Sequence, residues 1–356
     1  MALLTDMTLG EARALGARYG LEVAHVASIQ AGSVNSNFVF TLASGERRFV
    51  RVCEESGMAA VAEQNRLLAH LVARGVPTPA PLAMQGGGTV AAHRDKPAVA
   101  FAFVSGEAIC QRGVTEPHAR AVGAALAKIH RAGSDYAGAP ESRFRTEQLR
   151  WRLEGLTAGH YGKLGREHLE AVRLLSLRLD ELTPAAASER SAGHGARSSS
   201  EGASSCRTEE LAVAECGVAP AAEMVIHGDV FRDNVLWRAG SLAAILDFES
   251  ASAGSPPFDL MVTMLAWCFG DTLDHALVGA LAAGYLEVRP LDQGALDGCY
   301  DAARLAAVRF ATTRLTDYEL RPRGVVVYKD FRRFLGRLAA IEALGREAFR
   351  DLVAGS

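Results

Sequence analysis

The sequence predicts an α+β chain in two lobes: a small β-rich N-terminal lobe with one helix packed on it, and a larger, mostly helical C-terminal lobe. Two observations carry this. Up to about residue 104 the apolar residues come in short strand-like runs punctuated by Gly, Pro, Asn and Ser, whereas beyond residue 106 they recur at helical spacing. Between residues 224 and 246, two short apolar runs bracket a polar segment, which sets oxygen-bearing side chains at the ends of buried strands. A length of 356 residues suffices for two domains or one large bilobal body with a well-buried core. The first lobe is assigned to residues 1–104 and the second to residues 105–356.

Each element follows in order. Thr8 to Tyr19 places Leu9, Ala12, Leu15 and Gly16 on one face of a short helix. Val23 to Gln30 and Asn37 to Leu42 read as strands, joined by the small, polar loop Ala31-Gly-Ser-Val-Asn-Ser36. Ser44-Gly-Glu46 is a hairpin turn into a third strand, Arg48 to Cys53. Met58 to Arg74 is a helix with Val61, Leu68, Leu71 and Val72 in a stripe, ended by Gly75 with Pro77 beyond. Val76-Pro-Thr-Pro-Ala-Pro-Leu82 is extended, because each Pro drives its predecessor out of the helical region. Thr89 to Ala92 and Pro97 to Val104 complete the first lobe as strands, closing at Ser105-Gly106.

In the second lobe Thr115 caps a helix that has Pro117 in its first turn and Val122, Leu126 and Ile129 on its apolar face. Residues 143–182 read as helical. From Pro184 to Thr208 the composition falls to Ala, Ser, Gly and scattered charge, which predicts a flexible surface insertion. Met224 to Ile226 and Ala243 to Leu246 are short buried strands, and the chain from Leu260 onward is mostly helix.

Composition removes several classes. With 38 Lys+Arg against 41 Asp+Glu there is no positive field for a nucleic-acid backbone. The basic runs Arg321-Pro-Arg-Gly324 and Lys329 to Arg333 read as solvated surface. The apolar stretch around Leu260 to Phe269 is far short of the roughly 18–20 residues of a membrane span. No basic segment precedes an apolar one at the N-terminus, so a cytoplasmic protein is expected. Six scattered cysteines without a C-x-x-C pair argue for free buried thiols rather than disulfides or structural zinc.

The chemistry concentrates in Val225-Ile-His-Gly-Asp-Val-Phe-Arg-Asp-Asn-Val-Leu-Trp237 and Ala244-Ile-Leu-Asp-Phe-Glu249. Phosphoryl transfer to a hydroxyl needs a carboxylate to orient and deprotonate the nucleophile, and hard oxygen ligands for a metal bridging the phosphates. Asp229 suits the first role; Asn234 and Asp247 suit the second. Any one of these is an ordinary turn former, but three at these spacings make a constellation.

His227-Gly-Asp-Val-Phe-Arg-Asp-Asn234 with Ile245-Leu-Asp-Phe248 resembles the catalytic and metal-binding segments of the aminoglycoside phosphotransferase-like kinases, and more closely their bacterial homoserine kinase branch. Ala31-Gly-Ser-Val-Asn-Ser-Asn-Phe38, Arg74-Gly-Val-Pro-Thr-Pro-Ala-Pro81 and Arg309-Phe-Ala-Thr-Thr-Arg-Leu-Thr-Asp317 support it, so the resemblance spans residues 31 to 317. It implies the bilobal protein-kinase-like fold, with ATP and Mg²⁺ between the lobes, Asp229 as catalytic residue, and Asn234 and Asp247 as metal ligands. The 31–38 loop would cover the nucleotide phosphates, with Gly32, Ser33, Asn35 and Asn37 binding the nucleotide; the bland alternative is a polar turn. Arg51 stands where kinases usually hold a phosphate-binding lysine. Its carboxylate partner would be Glu63, which is equally readable as a solvated helix charge. Phe103 and Val104 lie where the connecting strand meets adenine.

On the substrate side, Arg232, Arg314 and Asp317 could meet the carboxylate and amine of L-homoserine, or could be salt bridges. Leu265-Ala266 and Glu249-Ser250 depart from the branch pattern, where an Asn-Asp pair and an aromatic run are expected. The expected reaction gives O-phospho-L-homoserine for threonine biosynthesis. The alternatives are a kinase for another small alcohol or amine, such as an aminoglycoside, choline or a sugar, and a non-catalytic nucleotide-binding protein on a kinase scaffold.

Overall fold

The computed structural model describes residues 4–29, 34–183, 223–320 and 328–355. Gly32, Ser33, Arg321 to Gly324 and the expected insertion at 184–208 lie outside them.

Thr8 opens helix α1 (Leu9–Arg18) with a reciprocal cap. Its hydroxyl accepts the Glu11 N–H at 3.3 Å, and the Glu11 carboxylate accepts the Thr8 N–H at 2.8 Å. Strands β1 (Val23–Ile29), β2 (Ser36–Leu42) and β3 (Arg47–Val52) follow, then helix α2 (Met58–Ala73) and strands β4 (Ala91–His93) and β5 (Lys96–Ala102). All five strands form one antiparallel sheet in the order β1-β2-β3-β5-β4. Because side chains alternate across a strand, Val50, Val52, Ala98 and Ala100 pack with Ala12 and Leu15 of α1. Phe49, Val99 and Phe101 face the other way, into the core shared with α2 and the second lobe. The sheet thus has a helix on each face. Arg51 lies on the same face as Phe49, turned towards the second lobe.

The connection leaves β5 at Ala102 and crosses in extended form. It is anchored where Glu107 and Trp237 exchange backbone hydrogen bonds, each of 2.9 Å. A Cβ at Gly106 would stand 2.9 Å from the Trp237 carbonyl oxygen, so this crossing needs glycine.

In the second lobe α3 (Glu116–Gly133) comes first. The helical stretch expected over 143–182 is two helices, α4 (Thr146–Thr157) and α5 (Arg166–Leu182), because Gly159 and Gly162 adopt positive φ between them. Short strands β6 (Met224–Ile226), β7 (Val235–Arg238), β8 (Ser241–Ile245) and β9 (Ser252–Gly254) pair as β6-β9 and β7-β8. Helices α6 (Pro256–Trp267), α7 (His275–Val288), α8 (Gln293–Arg314), α9 (Arg332–Leu344) and α10 (Arg346–Ala354) complete it. From Leu260 to Trp267 every side chain of α6 is buried, as in a helix surrounded by protein. The last turn of α8 widens into a π-turn, Leu315–Glu319. Among the described residues no helix is long and apolar enough to cross a membrane. Cys53, Cys268 and Cys299 are buried free thiols; Cys110 is free but exposed.

Candidate active site

The polar segment after β6 is held from behind by one buried carboxylate. Asp259, in the first turn of the apolar helix α6, accepts the His227 N–H at 2.7 Å and the Gly228 N–H at 2.8 Å, and meets His130 Nε2 at 3.0 Å. Burial alone would raise its pKa, but the His130 hydrogen bond and the nearby imidazoles outweigh that and hold the carboxyl below its ordinary value. The His227 ring accepts the Asp229 N–H on Nδ1 at 3.2 Å and faces the Leu246 carbonyl with Nε2 at 3.0 Å. Those two contacts fit the neutral Nε2–H tautomer, and full burial lowers the pKa of this imidazole. Gly228 takes φ +74°, where a Cβ would stand 3.1 Å from the Ser250 carbonyl oxygen. His227 and Gly228 therefore shape the turn, as the sequence suggests.

The turn delivers Asp229 to an open cavity of about 340 Å³. Burial pushes the Asp229 carboxyl up to about 7, against the opposing pull of Arg309 and Lys329; Asp247 and Asp233 add to the rise. Asn234 donates from Nδ2 to the Asp229 carbonyl at 2.9 Å and lies 3.4 Å from its Oδ2, which leaves the amide oxygen of Asn234 as an available ligand. Asp247 follows β8 with a left-handed backbone, φ 64° and ψ 66°, unusual for a residue with a Cβ. Its Oδ1 is buried without a hydrogen-bond partner and stands 4.0 Å from Arg51 Nη1. An orphaned carboxylate oxygen and a free amide oxygen are the kinds of donor a hard divalent cation takes. Among the described residues no group of three or more His, Cys, Asp or Glu could hold a metal unaided. Phosphate oxygens would have to complete the shell.

Arg51 does not pair with Glu63. Glu63 is exposed on α2 and pairs with Arg66 at 3.3 Å, whereas Arg51 reaches across the lobes to Glu249, Nη1 to Oε1 at 2.8 Å. Asn37, the cross-strand neighbour of Arg51, supports its Nε at 3.4 Å. Asn35 donates to the same Glu249 oxygen and accepts the Glu54 N–H at 3.1 Å. Both asparagines thus sit in one network with Arg51 at the cleft. Phe103 lies under the Arg47 guanidinium at 4.1 Å and lines a second cavity, beside the connection between the lobes; Val104 is half-buried next to it.

Of the expected substrate residues, Arg314 at the end of α8 and Asp317 within the π-turn both line the cavity that holds Asp229. Asp317 pairs with Arg152 at 2.6 Å, and Arg314 donates to the Asp330 carbonyl at 3.0 Å. Arg232 turns away. It donates to the Ala266 carbonyl at the end of α6 and is not among the cavity-lining residues. Leu265 and Ala266 are buried in the core and do not reach the cavity either, so the departure at those positions leaves its lining untouched.

Several residues line the cavity without a role assigned from the sequence, Arg309, Lys329, Arg143 and Arg152 among them. Arg309 is 3% exposed, stacks on Phe144 at 4.0 Å and Phe310 at 4.4 Å, and donates to the Gly228 carbonyl at 2.6 Å. Lys329, expected on the surface, lines the cavity, 5.4 Å from the Tyr318 ring centroid. Arg152 carried no signal. The supporting Asp259 did carry one: a lone carboxylate inside the apolar run 256–268 must find partners.

A small sheet lobe joined by an extended connection to a helical lobe, with Asp229, Asn234 and Asp247 at the cleft, defines a phosphotransferase of protein-kinase-like fold. The comparisons agree. Residues 25–291 match the model of the Phosphotransferase enzyme family, and the chain belongs to that family. It is 33% identical over 286 residues to the homoserine kinase of Beijerinckia indica, covering 78% of this chain and 76% of that one. It is 29% identical to the homoserine kinase of Rhodopseudomonas palustris, covering 98% of each. Among solved structures, an amicoumacin kinase in complex with AMP-PNP and Ca²⁺ superposes with a TM-score of 0.63 at 14% identity, over 97% of this chain and 94% of that one. That last likeness bears on the fold.

Proposed function

We propose that this enzyme transfers the γ-phosphoryl group of ATP to the hydroxyl of L-homoserine, giving O-phospho-L-homoserine for threonine biosynthesis, and that it works in the cytoplasm. One observation carries the reading: a cavity with Asp229 on its wall and Arg143, Arg152, Arg309, Arg314 and Lys329 around it. Such a lining suits a small substrate bearing a carboxylate. It is the wrong lining for an aminoglycoside, a polycation that needs carboxylates in excess. The curated relatives named homoserine kinase support the same choice.

Asp229 would accept the proton of the substrate hydroxyl as that oxygen bonds to the γ-phosphorus and the bond to the bridging oxygen breaks, releasing ADP. Asn234 and Asp247 would hold Mg²⁺, which spreads the charge of the phosphate oxygens. Arg51 sits where it can fork onto those oxygens in place of a lysine. The Asp317 carboxylate, shared with Arg152, is the acceptor for the substrate ammonium, and Arg314 and Lys329 face its carboxylate. Most of the acceleration would come from alignment and charge neutralisation.

The test is ADP release with Mg-ATP against L-homoserine, L-serine, choline and kanamycin, with Asp229→Ala alongside. Turnover on L-homoserine that is lost in the variant is expected. Turnover on kanamycin or choline instead would discard the substrate and keep the mechanism. Nucleotide binding without turnover on any of them would mark a non-catalytic protein.

A further inference from the structure

Beside Arg232 and Arg314 lies an arginine, Arg337, that no carboxylate among the described residues offsets. Arg337 of α9 is 4% exposed, and its Nη1 is buried with no hydrogen-bond partner. Its guanidinium lies 4.4 Å from the Phe334 ring centroid and 5.5 Å from that of Phe269. The Arg314 guanidinium also lies 4.4 Å from the Phe334 centroid, so the two are no further apart than twice that distance. Burial first, then Arg314, Arg333 and Arg232, push the pKa of Arg337 down to about 9; no carboxylate among the described residues pulls it back. Arg333 is exposed and Arg232 half-buried, so the group runs from a solvent-facing rim to a buried floor.

A buried guanidinium without a counter-charge is costly, and breaking a pair of this kind is among the most destabilising changes known. Among the described residues no carboxylate supplies the counter-charge of Arg337. A single carboxylate would neutralise one unit, whereas a phosphate dianion neutralises two and presents oxygens that match guanidinium forks. We propose that Arg232, Arg314, Arg333 and Arg337 form a phosphate-binding site adjoining the catalytic cavity, which takes inorganic phosphate or the phosphoryl group of a small phosphate ester. Arg314 belongs to both places, so occupancy of one is felt in the other.

The experiment is thermal unfolding in phosphate-free buffer. Inorganic phosphate or O-phosphoserine is added, with sodium chloride at matched ionic strength as the control. Wild type and Arg51→Ala, which lacks the arginine facing the nucleotide phosphates, should both show a saturable rise in Tm beyond the chloride control. Arg337→Met should melt no lower than wild type before phosphate is added, since it removes a buried uncompensated charge. It should need at least about tenfold more phosphate for the same rise, as expected for losing one charge-assisted contact. A larger response to O-phosphoserine than to phosphate would identify an ester as the ligand, and an equal response free phosphate. A phosphate response undiminished in Arg337→Met, or lost in Arg51→Ala, or no greater than that of chloride in wild type, would overturn the site. Because binding is read directly, none of these outcomes touches the proposed reaction.

Discussion

Asp229 combines two demands that pull apart. A base must be ionised to accept a proton, yet the burial that shields the reaction raises this carboxyl to about 7. The ionised form should therefore disappear as pH falls through that value, and kcat/KM should fall with it. A profile flat from pH 6 to pH 8 would sever the link between Asp229 and the chemistry. The stability consequence has the opposite sign. Its folded pKa stands above the unfolded value of 3.8, so ionisation costs the folded state increasingly as pH rises from 3.8 to about 7. Asp229→Asn should lower kcat by roughly 10²–10⁴-fold, the usual worth of a positioned base. It should also raise Tm at pH 8 by more than at pH 5. Parallel kcat and pH–Tm measurements decide; a Tm gain independent of pH would contradict the assigned titration. Asp229, Asn234 and Asp247 were legible in the sequence because their side-chain chemistry is written in a short segment. Lys329 was not, since its place in the cavity rests on contacts with residues far from that segment, Tyr318 among them.

Among elements, α6 does most to position that loop. Its apolar surroundings fix it in the core, and its one carboxylate, Asp259, satisfies two backbone donors of the turn before Asp229 together with His130. Asp259→Ala would leave those N–H groups and Nε2 of the buried His130 unpaired, at a cost of about 3–5 kcal/mol. Denaturant unfolding should show that loss. The remaining folded enzyme should show a lower kcat with KM little changed, because the loop, not the cavity wall, is loosened. Full kcat in the folded fraction would mean the turn holds without it. The long elements were readable from periodicity: α2 and the strands of the first sheet lie within two residues of expectation, and α3 starts beside the expected cap. Of the short ones, β6 and β8 were readable as apolar runs, and β7 and β9 were not. Strands β7 and β9 have four and three residues, too few to show a period, and they exist because β8 and β6 pair with them. The break between α4 and α5 was visible only as scattered glycines, whose positive φ the sequence does not reveal.

At the scale of the whole molecule the two lobes share a hydrophobic core and an Arg74–Asp135 ion pair at 2.7 Å, and near the cleft they meet through three further contacts. There is the backbone exchange between Glu107 and Trp237, a bond from the Ile245 N–H to the Pro77 carbonyl at 2.6 Å, and the charged network of Arg51, Asn35 and Glu249. The bilobal plan was legible as a change of period, but the Arg51–Glu249 pair was not, because it joins residues 198 apart in sequence across a cleft. Sequence proximity pointed to Glu63; three-dimensional proximity belongs to Glu249, two residues beyond Asp247. Burial raises the pKa of Glu249 and so does Asp247, while Arg51 opposes both. Removing Arg51 should therefore cost more than removing the charge of Glu249, since it leaves two carboxylates facing each other unpaired. With side chains 20% and 27% exposed, the pair is screened in part but not dissolved in solvent. A double-mutant cycle of Arg51→Met and Glu249→Gln, followed by denaturant unfolding, should give a coupling of roughly 0.5–3 kcal/mol. Saturating nucleotide should shrink that coupling, because phosphate oxygens then supply the anion that Glu249 supplies without them. A coupling near zero would mean that the Arg51–Glu249 pair contributes nothing to holding the lobes together. A coupling unchanged by nucleotide would mean that Arg51 never leaves Glu249 for the phosphates.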